Sequence, residues 1–227
     1  MEEHILDNLV WHALCHDLAE FAFGTALAKR CGPELVNAAG LANHSEAALD
    51  DFANLFNPGE DAGIFEATPP QEIPGFAAGH RESIDQLVCR QRTPVPEHDI
   101  EIIELTPSDI PDMIQLVELT RPGPFVPGMV GRRRYVGIRQ GGQLVAMGGE
   151  RFRPPGYCAV SSVCTHPAWR GRGYARLLCA VIADGIWARG ETPFLHVLAQ
   201  NTAAYRVYEQ LRFVKRCEMT VQVFTRS

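Results

Sequence analysis

The spacing of apolar and polar positions changes along the chain, and each change marks an element. Residues 100–105 alternate closely enough for a strand. Thr106, Pro107, Ser108 and Asp109 then open a helix to about residue 119, with Ile110, Met113, Ile114, Leu116 and Val117 on its inner stripe. Residues 120–128 carry Pro122, Gly123, Pro124, Pro127 and Gly128, which makes this stretch a loop. Apolar runs at 135–139 and 144–149 flank Gln140, Gly141, Gly142 and Gln143, a hairpin whose glycines accept positive φ. A strand over 158–165 leads to a helix from Gly173 to about residue 188 that buries Leu177, Leu178, Val181, Ile182 and Ile186 and stops at Gly190. Residues 194–199 read as a strand, 202–211 as a helix and 213–224 as a last strand or strand pair. From residue 99 the predicted order is β-α-β-β-β-α-β-α-β.

The first part of the chain is less patterned. A helical opening surrounds Leu6, Leu9, Val10 and Leu14. Ser45 caps a helix to about residue 56 with Leu49, Phe52 and Phe56 on one face. Short strands are expected at 63–67 and 84–89. Residues 90–98 are polar and hold Pro94 and Pro96, so they read as a linker. The expected organisation is a smaller α/β extension over 1–89, a linker over 90–98 and a second domain over 99–227.

Composition narrows the class. With 227 residues, 46% hydrophobic and 21% charged, the chain suits a soluble globular protein. A net charge of −6 argues against general nucleic-acid binding, although Arg132, Arg133 and Arg134 form a local basic cluster. No apolar run is long enough to span a membrane, and Met1, Glu2, Glu3 and His4 lack the pattern of a signal peptide, so a cytoplasmic protein without membrane contact is expected. The seven cysteines are odd in number, scattered and never spaced Cys-x-x-Cys, which points to neither a disulfide framework nor a metal site.

The candidate chemistry lies where the strand ending at Val163, Cys164 and Thr165 passes through His166 and Pro167 to Arg170, Gly171, Arg172, Gly173, Tyr174 and Ala175. The first turn of a helix presents N–H groups without intrahelical acceptors at the positive end of the helix dipole. Glycines bring that backbone close to a ligand, and Arg170 and Arg172 add positive charge. This combination suits a diphosphate. It is not a Walker loop, since no Gly-Lys-Ser/Thr follows the first glycine. It is not the dinucleotide fingerprint either, because Arg176 stands where the third glycine belongs.

Arg170, Gly173 and Ala175 fit Arg/Gln-x-x-Gly-x-Gly/Ala, and this resembles the coenzyme A loop of the GNAT N-acyltransferase superfamily. A second stretch, from Leu195 through Asn201, Ala204, Tyr205 and Tyr208 to Leu211 and Phe213, is similar to that family's second signature. The resemblance covers residues 99–227. It implies an α/β (α+β) fold with a mixed, mostly antiparallel sheet and flanking helices. It also implies acetyl-CoA as cosubstrate and a small-molecule or peptide amine as acceptor, with no metal, in a monomer or homodimer.

By the same resemblance, free backbone groups near Val163, Cys164 and Thr165 would pair with the pantetheine arm. N–H groups from Gly171 to Ala175 would hold the pyrophosphate. Asn201 would touch the coenzyme or cap its helix, and Tyr208 would protonate the leaving thiolate. Two departures stand out. The strand before the loop starts Tyr157, Cys158, Ala159, Val160 without the glutamate that many relatives use as base, and Arg212 replaces a glycine. Glu150 is the nearest acidic candidate for the base, with His166, His196 or a water chain as alternatives. Two other activities fit the same features: a non-catalytic acyl-CoA binding module, or an amino-acid N-acyltransferase using longer acyl groups. The extension over 1–89 reads as a degenerate acyltransferase half or an unrelated helical cap.

Overall fold

A computed structural model of the chain describes residues 4–32 and 38–227, so residues 1–3 of the signal-peptide reading lie outside it. Chain contacts divide it into two compact units. Residues 1–86, 152–155 and 217–227 form the first, and residues 87–151 and 156–216 the second.

In the first unit, α1 (Leu9–Cys15) is followed by β1 (Ala22–Gly24), β2 (Ala28–Cys31) and β3 (Ala39–Leu41), which make a small antiparallel sheet in that order. None of the three was expected, because strands this short show too few alternating positions to register as a period. Next comes α2 (Glu46–Ala53), capped by the Ser45 hydroxyl, which accepts from Ala48 N–H. Its buried Ala48 and Phe52 pack with Leu41, Ile64 and Phe224. Strand β4 (Asp61–Glu66) pairs antiparallel with the end of a much later strand, β11, from Thr220 to Thr225.

Strand β5 (Phe76–Cys89) is far longer than the expected 84–89. Residues 77–83 are all exposed, so they never needed the apolar alternation by which a half-buried strand is read.

The second unit carries the expected order. It contains β6 (Ile103–Glu104), α3 (Ile110–Thr120), β7 (Tyr135–Gln140), β8 (Gln143–Glu150), β9 (Tyr157–Thr165), α4 (Tyr174–Ala188), β10 (Thr192–Val197), α5 (Thr202–Gln210) and the start of β11 (Phe213–Arg226). Spatially the strands run β5-β10-β9-β8-β7-β6. The β6/β7, β7/β8 and β8/β9 pairs are antiparallel, whereas β9 and β10 are parallel. The mixed, mostly antiparallel sheet with flanking helices matches the expectation. Strand β6 is shorter than the predicted 100–105, since only Ile103 and Glu104 stand in the ladder with β7, and Leu105 adds one bond of 2.8 Å to Tyr135 C=O.

Period-two alternation sorts the side chains of this sheet onto two faces. One face carries Val136, Ile138, Val145, Cys158, Val160, Leu195 and Val197 and packs with Leu178, Ile182 and Ile186 of α4. The other carries Leu105, Tyr135, Leu144, Met147 and Cys164 and packs with Met113 and Leu116 of α3. Arg139 of β7 holds the start of α3 by ion pairs of 2.7 Å to both Asp109 and Asp112. Gly141 and Gly142 turn the β7/β8 hairpin with φ of 57° and 85°.

The expected boundaries shift at the C-terminus. Residues 213–226 form one continuous strand, and its part from residue 217 belongs to the first unit because its backbone completes a ladder with β4. Residues 99–227 are therefore not one compact body.

Arg212, where the resemblance calls for glycine, adopts φ +64°. The turn keeps the left-handed conformation although the residue that accommodates it most cheaply is missing. An Arg212→Gly variant is expected to gain up to about 1 kcal/mol, and Arg212→Val to lose at least as much, because a branched Cβ fits that region worst. Urea unfolding of the three proteins measures the difference.

Candidate active site

Strands β9 and β10 pair at three positions only: Tyr157 with Thr192, Cys158 with Pro193 and Ala159 with Phe194. Beyond these the ladder ends while both strands continue. On its other side β9 stays paired with β8. Arg151 N–H donates to Ala159 C=O at 3.0 Å, and His166 N–H donates to Val145 C=O at 2.8 Å. In an antiparallel ladder the residues that exchange hydrogen bonds alternate with residues whose N–H and C=O face away. Counting from those two bonds, Val160, Val163 and Thr165 turn their backbone groups away from β8, toward the side where β10 diverges.

A register shift between Met147 and Gly149 inserts an extra residue of β9 opposite Gly148, with Ser162 at φ +54°. This β-bulge keeps Val163 against the α4-side cluster and sends Cys164 to the α3 side.

The end of β9 leads straight into the loop. The His166 ring accepts from Ala168 N–H at 3.2 Å and starts a short turn over Pro167–Trp169. Gly171 and Gly173 follow with φ of 77° and 78°. No atom lies within 4 Å of a Cβ built at either position. Within the protein alone, glycine is needed there for backbone conformation, and the space above it is open.

Leu177 N–H makes the first helical bond of α4, to Gly173 C=O at 3.0 Å. The N–H groups of Tyr174, Ala175 and Arg176 precede it, and no side chain caps them. Arg170 and Arg172 flank them, both exposed. Arg172 lies over the Trp169 ring at 4.6 Å, and the Trp169 and Tyr174 rings stack at 6.5 Å.

Tyr208 of α5, like Val163, packs against the α4-side cluster, its ring 6.0 Å from that of Phe213. Burial, with a smaller contribution from the neighbouring Cys179, raises its phenol pKa well above the usual value. The hydroxyl therefore stays protonated at neutral pH. Asn201 accepts from Ala204 N–H at 3.2 Å and so caps α5.

Glu150 lies elsewhere. It pairs with Val160 across the sheet, so it shares the α4 face, and Arg189 donates to its carboxylate at 2.9 Å. Arg189 follows the last residue of α4, and a helix of 15 residues puts about 22 Å between that end and the loop. Glu150 therefore lies at the opposite end of α4 from the loop glycines, on the same sheet face as Val160, Val163 and Tyr208. Its buried carboxylate is paired with Arg189 just past the end of α4.

Cys164 is buried among α3-side residues. Loss of hydration pushes its thiol up to about 11, which leaves it neutral packing.

The comparisons with known proteins follow this geometry. Residues 135–223 match the family model described as FR47-like protein. A solved structure of a GNAT-family protein from Novosphingobium aromaticivorans is 35% identical, with a TM-score of 0.87 over 99% of this chain and 100% of that one. The chain belongs to the GNAT family.

GNAT-family structures from Kribbella flavida (16% identity, TM-score 0.57, 80% of this chain and 75% of that one) and Colwellia psychrerythraea (13% identity, TM-score 0.55, 94% and 89%) share the fold. No curated protein matches the chain. Membership of this family supports an acyl-CoA-dependent acyltransferase in general. Among the described residues no helix is long and apolar enough to cross a membrane.

Two residues of this GNAT site escaped sequence reasoning. Ser162 and Tyr135 meet at the bulge, and nothing local announces either, since a bulge arises from register against the neighbouring strand. His196, one of the three alternatives for the base, projects from β10 on the face opposite Leu195 and Val197, edge-on to Phe194 at 5.6 Å. Lost hydration, then the charges of Arg151 and Arg216, lower its pKa from 6.5 to about 3. It is a neutral, weakly basic imidazole at pH 7.

A histidine whose folded pKa lies below its unfolded value leaves the unfolded state holding more protons between the two. Its contribution to stability is complete above pH 6.5 and is lost as pH falls toward 3. Urea midpoints of wild type should therefore fall more steeply on acidification through this window than those of His196→Gln. Parallel slopes would contradict the assignment.

Proposed function

We propose that this chain is an acetyl-CoA-dependent N-acetyltransferase that moves an acetyl group to a primary amine by direct attack in a ternary complex. The observation that carries the proposal is the divergence of β10 from β9 beside the uncapped start of α4. It leaves strand backbone groups that β10 does not pair, with Arg170 Nε donating to Thr165 C=O at 3.4 Å, next to a helix start whose N-cap residue supplies no side-chain cap. A pantetheine arm, with its two amides, and a diphosphate require that pair of features in that order.

In this reading the N–H groups from Gly171 to Ala175 hold the pyrophosphate, with Arg170 and Arg172 adding charge. The backbone of Val163 and Thr165 pairs with the pantetheine amides as an added strand would. Cys164 turns its backbone toward β8 and its sulfur into the core, so it positions its neighbours and does not itself touch the coenzyme. Asn201 acts through its cap, fixing the start of α5.

The amine nitrogen attacks the thioester carbonyl carbon, the C–S bond breaks, and the sulfur leaves as a thiolate. Tyr208, kept protonated by burial, supplies the hydrogen bond or proton to that sulfur. The amine must lose its proton first. Glu150 is paired with Arg189, His196 is lowered to about 3 and the His166 ring accepts from Ala168 N–H, so in this reading the proton leaves to solvent through water in the open splay. The loop over 121–128, stiffened by Pro122, Pro124 and Pro127, borders the acceptor.

Thermal shift with acetyl-CoA, followed by free-thiol release over a panel of amines, tests the reading. Stabilisation without thiol release from any amine would favour a non-catalytic binding module instead. Tyr208→Phe is expected to lower kcat by roughly tenfold to a hundredfold, with less than about a threefold change in KM for acetyl-CoA. Gly173→Ala, which adds a Cβ where the phosphates would lie and disfavours the left-handed φ, is expected to weaken coenzyme A binding by about tenfold or more in calorimetry.

A further inference from the structure

The bulge of β9 carries a serine where glycine would be easier to accommodate. Ser162 is held at φ +54° and is 5% exposed. Its hydroxyl donates to Pro124 C=O at 3.5 Å, in the middle of the loop that follows α3. The buried Tyr135 phenol lies beside the same hydroxyl.

Tyr135 reaches the bulge because its cross-strand partner is Gly149, and a Cβ at Gly149 would run into the Tyr135 ring. The same ring receives Phe125, the residue after Pro124, edge-on at 5.8 Å. The loop thus touches β9 through the Ser162 hydroxyl and β7 through the Phe125–Tyr135 contact.

We infer that Ser162 is a positioning residue that sets the 121–128 loop against β9, so that acceptor recognition depends on a side chain of the donor-binding strand. This rests on the proposal above that the loop borders the acceptor. The left-handed conformation places the Ser162 side chain out of the β9 alternation and toward the loop. Glycine at this position would relax the backbone and lose the tether.

The test uses the full chain with Ser162→Ala, Ser162→Gly, Tyr135→Phe and the Ser162→Ala/Tyr135→Phe pair. Amide hydrogen exchange over residues 121–130 should quicken about fivefold to tenfold in Ser162→Ala and Ser162→Gly, matching the loss of one net hydrogen bond. KM for the amine should rise by a similar factor while KM for acetyl-CoA stays within about twofold. The pair should cost less than the sum of the two single variants, because the two side chains are neighbours and both face the loop.

Ser162→Gly separates positioning from stability. Its melting temperature should equal or exceed that of wild type while its amine KM still rises, a split that a purely structural role would not produce. Unchanged exchange over 121–130 in Ser162→Ala would overturn the inference, as would acetyl-CoA and amine KM values rising together. Absence of turnover with every amine in wild type would defeat the acetyltransferase reading alone, since the exchange measurement decides the tether without catalysis.

Discussion

The second unit depends on a ladder that stops early. Parallel strands β9 and β10 need each other for only three positions, and the polar backbone beyond that point must find other partners. The protein tolerates this because the two strands are supported elsewhere. Strand β9 is paired along its length with β8, and the side chains of β10 are anchored by Leu195 and Val197 in the cluster beneath α4. A gap that would cost stability in the middle of an ordinary sheet becomes a slot lined with hydrogen-bonding groups. The loop glycines and the uncapped helix start extend the slot at the end where the strand leaves the sheet.

The two faces of the sheet divide the labour. The α4 face is a dense apolar cluster, closed at the far end of the helix by the Glu150–Arg189 pair. That pair couples a side chain only 6% exposed with a guanidinium still partly in water, so its role is to satisfy a buried carboxylate more than to add stability. The α3 face is more polar and less regular. There the bulge at Ser162, the small Gly149 and the buried Tyr135 hydroxyl bring strand and loop into register, and His196 is held neutral by its surroundings.

Much of this arrangement was legible in the residues. The spacing of Arg170, Gly173 and Ala175 after a strand, and of Asn201 and Tyr208 after the next, marked the loop and the two helices whose structures now stand beside them. The hairpin at Gly141 and Gly142 was visible because positive φ has a residue signature. The short strands β1 to β3 and the exposed half of β5 left no trace, since the first are too brief to show a period and the second has no buried face to encode. Arg212 shows the converse: the turn it occupies is dictated by its flanks strongly enough to impose φ +64° on a residue ill suited to it.

By itself the sequence determined the order of elements in the second unit, the glycine loop and the family, because each rests on local spacing along one segment. Tertiary structure alone decided where side chains from separate strands meet. Glu150 is the nearest acid along the chain, yet cross-strand pairing puts it on the α4 face with Arg189. Ser162 looks like an ordinary strand residue until a one-residue register shift against β8 turns it toward Pro124. Face and register are relations between strands, fixed by which backbones pair and where a ladder slips, and no single segment contains them.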